Sequence, residues 1–338
     1  MKKSFCCLLF IVLVFTLIGI NSEVRAEDTW KPTKTITVVV PWPAGGASDT
    51  VGRMISGEME QILGQKMVIV NTPGGGGAIG TQEVWDKPHD GYTITANAMT
   101  GVVSYMILGK MDVSFRDWAF FLPIFTPNVI TVKGDSPINT MDDLLAYMKE
   151  NDGKTVLASA GVGSSGYFAA EIFKKVTGLS YNHVPYAGGA PAITAVASGE
   201  AEVVMQLSAE VAEFLRGGQL KALAVTSAQD LVIDGYGTIP SIQKFIPDYP
   251  DYGSYFGLLA PADMPKEVLK AYEDAFVKAA GSKAVSDYAK TKGCIPVAIY
   301  GEESKELIEK LARTEAWLLW DAGVATVNPA DCGLPRPE

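Results

Sequence analysis

Histidine is almost missing from this chain. His89 and His183 are the only two, and neither stands at metal-ligand spacing from the other or from a cysteine. The serines form no nucleophile elbow, because Tyr167 stands where the second glycine after Gly163 and Ser165 is needed. A Ser164–His183 pair is conceivable, but a histidine inside the strand-like run 181–184 more often packs or hydrogen-bonds. With no nucleophile, base or metal cluster, the expectation is a protein that is not an enzyme and carries no cofactor or metal. Nor is there an excess of positive charge: the net charge is −10, which argues against nucleic acid and anionic membrane as partners.

Long apolar runs are absent after the first residues. Lys2 and Lys3 precede the apolar run 5–20, and Val24-Arg25-Ala26 offers small residues at the −3 and −1 positions of a cleavage site. Residues 1–26 are therefore predicted to be a signal peptide cut after Ala26, which places the mature chain in the periplasm. At about 16 residues the run is short for a membrane span. Cleavage removes Cys6 and Cys7 and leaves Cys294 and Cys332. In an oxidising compartment two lone cysteines either pair or persist as a buried thiol and a free one, and the sequence leaves both open.

What the chain does have is glycine placed after strands. Residues 36–40 read as a strand, followed by Pro41-Trp42-Pro43-Ala44-Gly45-Gly46 and then Ser48 and Asp49. From Val51 the apolar residues fall at helical spacing through Leu63, with Gly64 as the stop. A strand, a glycine turn and a helix start leave backbone N–H groups unpaired and pointing outward, an arrangement that attracts anions. A second strand, 67–70, ends at Asn71-Thr72-Pro73 and a run of four glycines, and Asp90-Gly91-Tyr92-Thr93 opens a third. Gly75, Gly77 and Gly80 match G-x-G-x-x-G, but residues 97–107 hold no acid for a ribose, so a dinucleotide site is not expected.

These three stretches, in this order, resemble the substrate-binding proteins of tripartite tricarboxylate transporters, typified by the Bordetella uptake-gene proteins. The family's hallmarks are P-[FYW]-P-A-G-G-x-x-D, N-x-P-G-x-G-G-x-x-G and D-G-Y-T, found here at 41–49, 71–80 and 90–93.

Further on, 155–159 reads as a strand before a glycine- and serine-rich turn and a helix from Tyr167, and 181–184 as a strand before Pro185-Tyr186-Ala187-Gly188-Gly189 and a helix. The second of these units echoes the opening one, differing by one inserted residue. Two α/β domains presenting equivalent helix N-termini to a shared cleft are the inference. Thr140 to Asp143 reads as a helix-start cap, 202–206 and 221–226 as strands, 230–252 as surface loop with a short helix, and 255–261 as a return strand. The expected fold is a type II periplasmic binding protein with two chain crossovers. Residues 27–127 plus 253–338 form domain 1 and 128–252 form domain 2.

The resemblance implies a small organic carboxylate as ligand and the integral membrane subunits of a transporter as partners, with the receptor acting as a monomer. A ligand-sensing receptor for a signalling partner and an amino-acid-binding member are the alternatives. The residues expected to line the site are Trp42, Ala44, Gly45, Gly46, Ser48 and Asp49, with Gly76 and Gly77, and Met99 and Thr100. From the second domain come Ser159, Gly163, Ser164 and Tyr167, then Tyr186, Ala187, Gly188, Gly189 and Gln206. Asp49 is expected to brace the first loop rather than to touch the ligand. Arg53 is the only basic residue close to a glycine loop in the sequence, and it suits a surface role equally well. Three places depart from the family pattern: Tyr167-Phe168-Ala169 replaces His-Leu-Ala, Gln206 stands where Asp is frequent, and Trp42 where Phe is common. A neutral amide at 206 favours a second carboxylate over an ammonium.

Overall fold

The computed structural model describes residues 30–337; the predicted leader and its cleavage point lie outside them. The chain opens with β1 (Ile36–Val40), whose side chains are nearly all buried, followed by α1 (Ala47–Leu63). Helix α1 buries Val51, Ile55 and Met59 completely and stops at Gly64, which is left-handed as the sequence predicts. Each such side chain contributes about 1.5–3 kcal/mol relative to exposure. Next come β2 (Met67–Asn71), α2 (Ala78–Trp85), β3 (Thr93–Ala98) and α3 (Met99–Ile107). Strands β2 and β3 flank β1 in parallel.

The centre of the molecule is β4 (Trp118–Lys133), 16 residues long and buried over most of its length. After it follow α4 (Met141–Glu150), β5 (Val156–Ser159), α5 (Ser165–Thr177), β6 (Asn182–Pro185), α6 (Gly189–Ser198), β7 (Val203–Leu207), α7 (Ser208–Arg216) and β8 (Leu220–Val225). A small hairpin, β9 (Leu231–Ile233) with β10 (Gly237–Ile239), precedes β11 (Gly253–Pro261), α8 (Lys266–Ala280), α9 (Lys283–Lys292), β12 (Ile295–Tyr300) and α10 (Gly301–Asp321).

Strand β4 changes neighbours part-way along. Its residues 118–127 pair with β11 and β12, whereas 128–133 pair with β7 and β8. Strand β11 fills the gap between β3 and β4, antiparallel to both, and β5 and β6 extend the second half in parallel beyond β7. At the β11 bulge, Gly257 lies so close to Phe121 that an added Cβ would stand 2.0 Å from its carbonyl oxygen. This is the mixed α/β architecture that the sequence leads one to expect. The predicted cap at Thr140 is present as a reciprocal box with Asp143.

One segment departs from expectation. Segment 230–252 is less superficial than its Gly, Pro and Asp content suggests: Tyr249 and Tyr252 are buried, their hydroxyls donating to the Ala169 carbonyl and to Glu315. Cys294 and Cys332 are both free thiols. Cys294 is buried, accepts from Thr126 Oγ1, and burial pushes its pKa up to about 11. No helix among the described residues is long and apolar enough to cross a membrane.

Candidate ligand-binding cleft

The carboxyl ends of β1, β3, β5, β6 and β7 all run into helix starts, as open α/β sheets do where they bind ligands. Around the resulting cleft stand the first residues of five helices. Helix α1 brings Gly46, Ala47 and Ser48, and α3 brings Ala98, Thr100 and Gly101. Helix α5 brings Ser164 and Ser165, α6 brings Gly188 to Pro191, and α7 brings Leu207 and Glu210. Trp42, Pro43, Ala44, Ala160, Gly163, Gln206 and Phe256 complete the wall, and no basic side chain is among the lining residues.

Helix α1 starts at Gly46 without any side-chain cap, so its first N–H groups remain to be satisfied from outside. Gly45 holds the turn in front of it at φ 88°, a conformation that favours glycine. The loop is braced from behind. Asp49 accepts from the Gly45 N–H at 2.9 Å and from Asn71 Nδ2 at 3.0 Å, and it pairs with Arg53 at 2.9 Å. Burial works against its charge, but hydrogen bonds from Arg53, Gly45 and Asn71 outweigh that and hold its pKa below the ordinary value. Asn71 also donates to the Trp42 carbonyl, and Arg53 Nη2 to Asn71 Oδ1. Arg53 thus holds the loop through Asp49, a role its place in the sequence left undecided. The Trp42 ring is fixed as a wall by its indole N–H donating to Asn97 Oδ1 at 2.9 Å.

Of the residues expected from sequence, Trp42, Ala44, Gly46, Ser48, Thr100, Gly163, Ser164, Gly188, Gly189 and Gln206 line the cleft. The others stand behind it. Gly45 and Asp49 shape the loop; Met99 is in the core. Gly77 backs onto Trp42 and Tyr105, and Gly76 lies near Lys110 Nζ, a second cation beside a glycine loop. Ser159 Oγ is taken by His183 Nε2 at 2.7 Å, so that histidine pairs with Ser159 and not with Ser164. The Tyr186 hydroxyl donates outward to Glu200, and Ala187 lies in the turn before Gly188. Tyr167 differs most from expectation. Ser164 is the N-cap of α5 and accepts from the Tyr167 N–H, which sets Tyr167 three residues into the helix with its ring against Phe168 and His183. It is 3 % exposed and does not reach the cleft.

Glu210 and Phe256 are lining residues that sequence reasoning missed. Glu210 lies four residues after Gln206, in the first turn of α7, where no glycine loop drew attention to it. It places a carboxylate beside Gln206, whose Nε2 donates to it. Phe256 comes from β11, brought opposite Ala98 by a pairing between distant strands.

Residues 51–321 match the sequence pattern of the tripartite tricarboxylate transporter family receptor. The chain belongs to this family. Among relatives, BugT of Bordetella pertussis is 26 % identical over 296 residues, covering 86 % of this chain and 89 % of BugT. Among solved structures, R. palustris Rpa4515 with adipate superposes at a TM-score of 0.79 with 25 % identity, covering 87 % of this chain and 99 % of that one. MatC (Rpa3494) from Rhodopseudomonas palustris with bound malate, at 22 % identity, covers the same shares with a TM-score of 0.73 and supports the fold. The family is one of solute-binding receptors and not of enzymes, and this chain is accordingly a solute-binding receptor.

Proposed function

We propose that this receptor captures a small organic acid, a di- or tricarboxylate or an aromatic acid, and delivers it to the integral membrane subunits of a tripartite transporter. The observation that carries this reading is the convergence of five helix starts on a cleft lined by no basic side chain. Such a cleft recognises an anion through neutral donors. Each hydrogen bond to a charged oxygen contributes about 1.5–3 kcal/mol, and each helix end about 0.3–1 kcal/mol. Three or four together, less the cost of association, reach the roughly −8 kcal/mol of a micromolar site. The bound adipate and malate of the two neighbours lend the class of ligand. Two domains, 27–127 with 253–338 and 128–252, close on it; the change of partners along β4 at 127/128 supports that division. The mature chain begins after Ala26 in the periplasm and works as a monomer.

The test is a thermal-shift screen of adipate, malate, citrate, benzoate, amino acids, sugars and inorganic phosphate on protein unfolded and refolded to remove any bound solute. A ligand at a hundredfold excess over its Kd adds about 2.7 kcal/mol, a rise of several degrees for a chain of this size. Shifts with carboxylates support the reading. Shifts confined to sugars or phosphate refute it.

A further inference from the structure

The seat that an incoming carboxylate needs is already held by one of the protein's own. Glu210 Oε1 accepts from the Ala47 N–H at 3.0 Å, the first N–H of α1, across the cleft from its own helix. Its Oε2 accepts from Gln206 Nε2 at 2.6 Å. The same oxygen lies against the start of α6: a Cβ added at Gly189 would stand 2.1 Å from it. One side chain thus lies between the paired helix starts of the two echoed glycine turns. A second observation marks the corner as incomplete. Gln206 is 2 % exposed and lines the cleft, yet its Oε1 has no hydrogen-bond partner. Turned over, the amide offers Oε1 to a proton on Glu210, so it serves either protonation state.

We propose that Glu210 is the specificity-determining residue of the cleft: it occupies the anion seat, and an organic acid is admitted with uptake of one proton by Glu210. The inference rests on the organic-acid reading above. The proton comes from solvent, and Glu210 passes from carboxylate to neutral acid while the ligand keeps its charge. Two carboxylates cannot share one pair of helix starts without a proton between them. The surroundings agree. Helix α1 presents the Ala47 N–H and the Thr50 hydroxyl, with Asp49 already tied to Arg53. Helix α9 presents Tyr288, bonded to Thr50 and held neutral by burial; α6 presents only Gly189 and its backbone; β7 presents Gln206. Glu213, the next acid on α7, pairs with Arg216 and Lys292. Burial raises the Glu210 pKa above its ordinary value against the hydrogen bonds from Ala47 and Gln206.

Titration calorimetry with adipate and with malate, in buffers of different ionisation enthalpy, reads the proton directly. The wild type should take up about one proton per ligand at pH 7, with affinity rising up to tenfold per unit as pH falls. Glu210→Gln should take up none, bind with little pH dependence and bind more tightly than wild type at pH 7. Equal uptake in both proteins, or none in either, overturns the proposal. So does binding of L-glutamate by the wild type that Glu210→Gln abolishes, since Glu210 would then accept a ligand ammonium. Small-angle scattering of the ligand-free proteins separates this failure from that of the organic-acid reading. If neither acid binds either protein, that reading is wrong; a larger radius of gyration in Glu210→Gln would still support Glu210 as holder of the seat, and an unchanged one would refute it.

Discussion

Glu315 gives the most quantitative test of the structure. It sits in α10 with no exposed surface, one carboxyl oxygen accepting from Tyr252 at 3.2 Å and the other without a partner. Burial, only partly opposed by that hydrogen bond, raises its pKa from 4.5 to about 8. A carboxyl whose folded pKa is raised contributes stability that is complete below the unfolded pKa and is lost as pH rises through the folded one. The window therefore runs from pH 4.5 to about 8. Across it each unit removes about 1.4 kcal/mol, which sets an upper bound of about 5 kcal/mol on the loss. Glu315→Gln keeps the shape and removes the proton. Urea unfolding of both proteins at half-unit steps from pH 4.5 to 9 isolates the group, because every other titration is common to the two. The variant should gain on wild type steadily as pH rises, by at least about 2 kcal/mol over the window. Parallel curves would show that Glu315 is hydrated or paired in solution, and the burial argument would fail.

Three further outcomes follow from contacts around the cleft. Asp49→Ala should lower stability by about 1–3 kcal/mol, since it removes the acceptor of the Gly45 and Asn71 donors and leaves Arg53 unpaired; it should also weaken organic-acid binding, and an unchanged melting point and Kd would refute the brace. Ser164→Ala removes the N-cap of α5 and should cost about 0.5–2 kcal/mol in urea unfolding, whereas Tyr167→Phe, altering a hydroxyl away from the cleft, should leave ligand affinity in calorimetry within twofold. Titration of denatured, unreduced protein with a thiol reagent should count two thiols from Cys294 and Cys332; a count of zero would mean that they pair in the secreted protein.

The helices and strands around the glycine turns were legible because their signals are local. The boundaries of α1, with its apolar spacing and Gly64, and the cap at Thr140 need only neighbours in sequence. The echo between Pro41–Ala47 and Pro185–Ala190 identified the two facing helix starts for the same reason. The length of β4 was not legible: its 16 residues contain Pro123 and Pro127, punctuation that interrupts a strand pattern. Tyr167 was misplaced because its motif position gave no direction for the ring, which follows from the cap at Ser164. Glu210 was invisible for a different reason. An acid in the first turn of a helix is ordinary, and only the approach of α1 from the other half of the chain gives it a partner.

The position of β11 also dictates an order of events in folding. Strand β11, residues 253–261, is wedged between β3 and β4, and α8 behind it covers α1. A chain growing from its N-terminus therefore makes β1, β2 and β3 long before the strand that closes their open edge exists. The segment from Asn128 to Ser241 contains every strand partner of β5, β6, β7 and β8. The inner half of the sequence thus holds its full set of pairings while the outer half still waits for its second portion. The outer half depends on contacts more than a hundred residues apart, which slows its closure relative to the inner half. During that interval the edge of β3, with buried Thr95, Ala96 and Asn97, is an unpaired template. A fragment ending before residue 253 should consequently aggregate, whereas a circular permutant that starts at 253 and runs through the old termini makes the outer half contiguous and should refold faster.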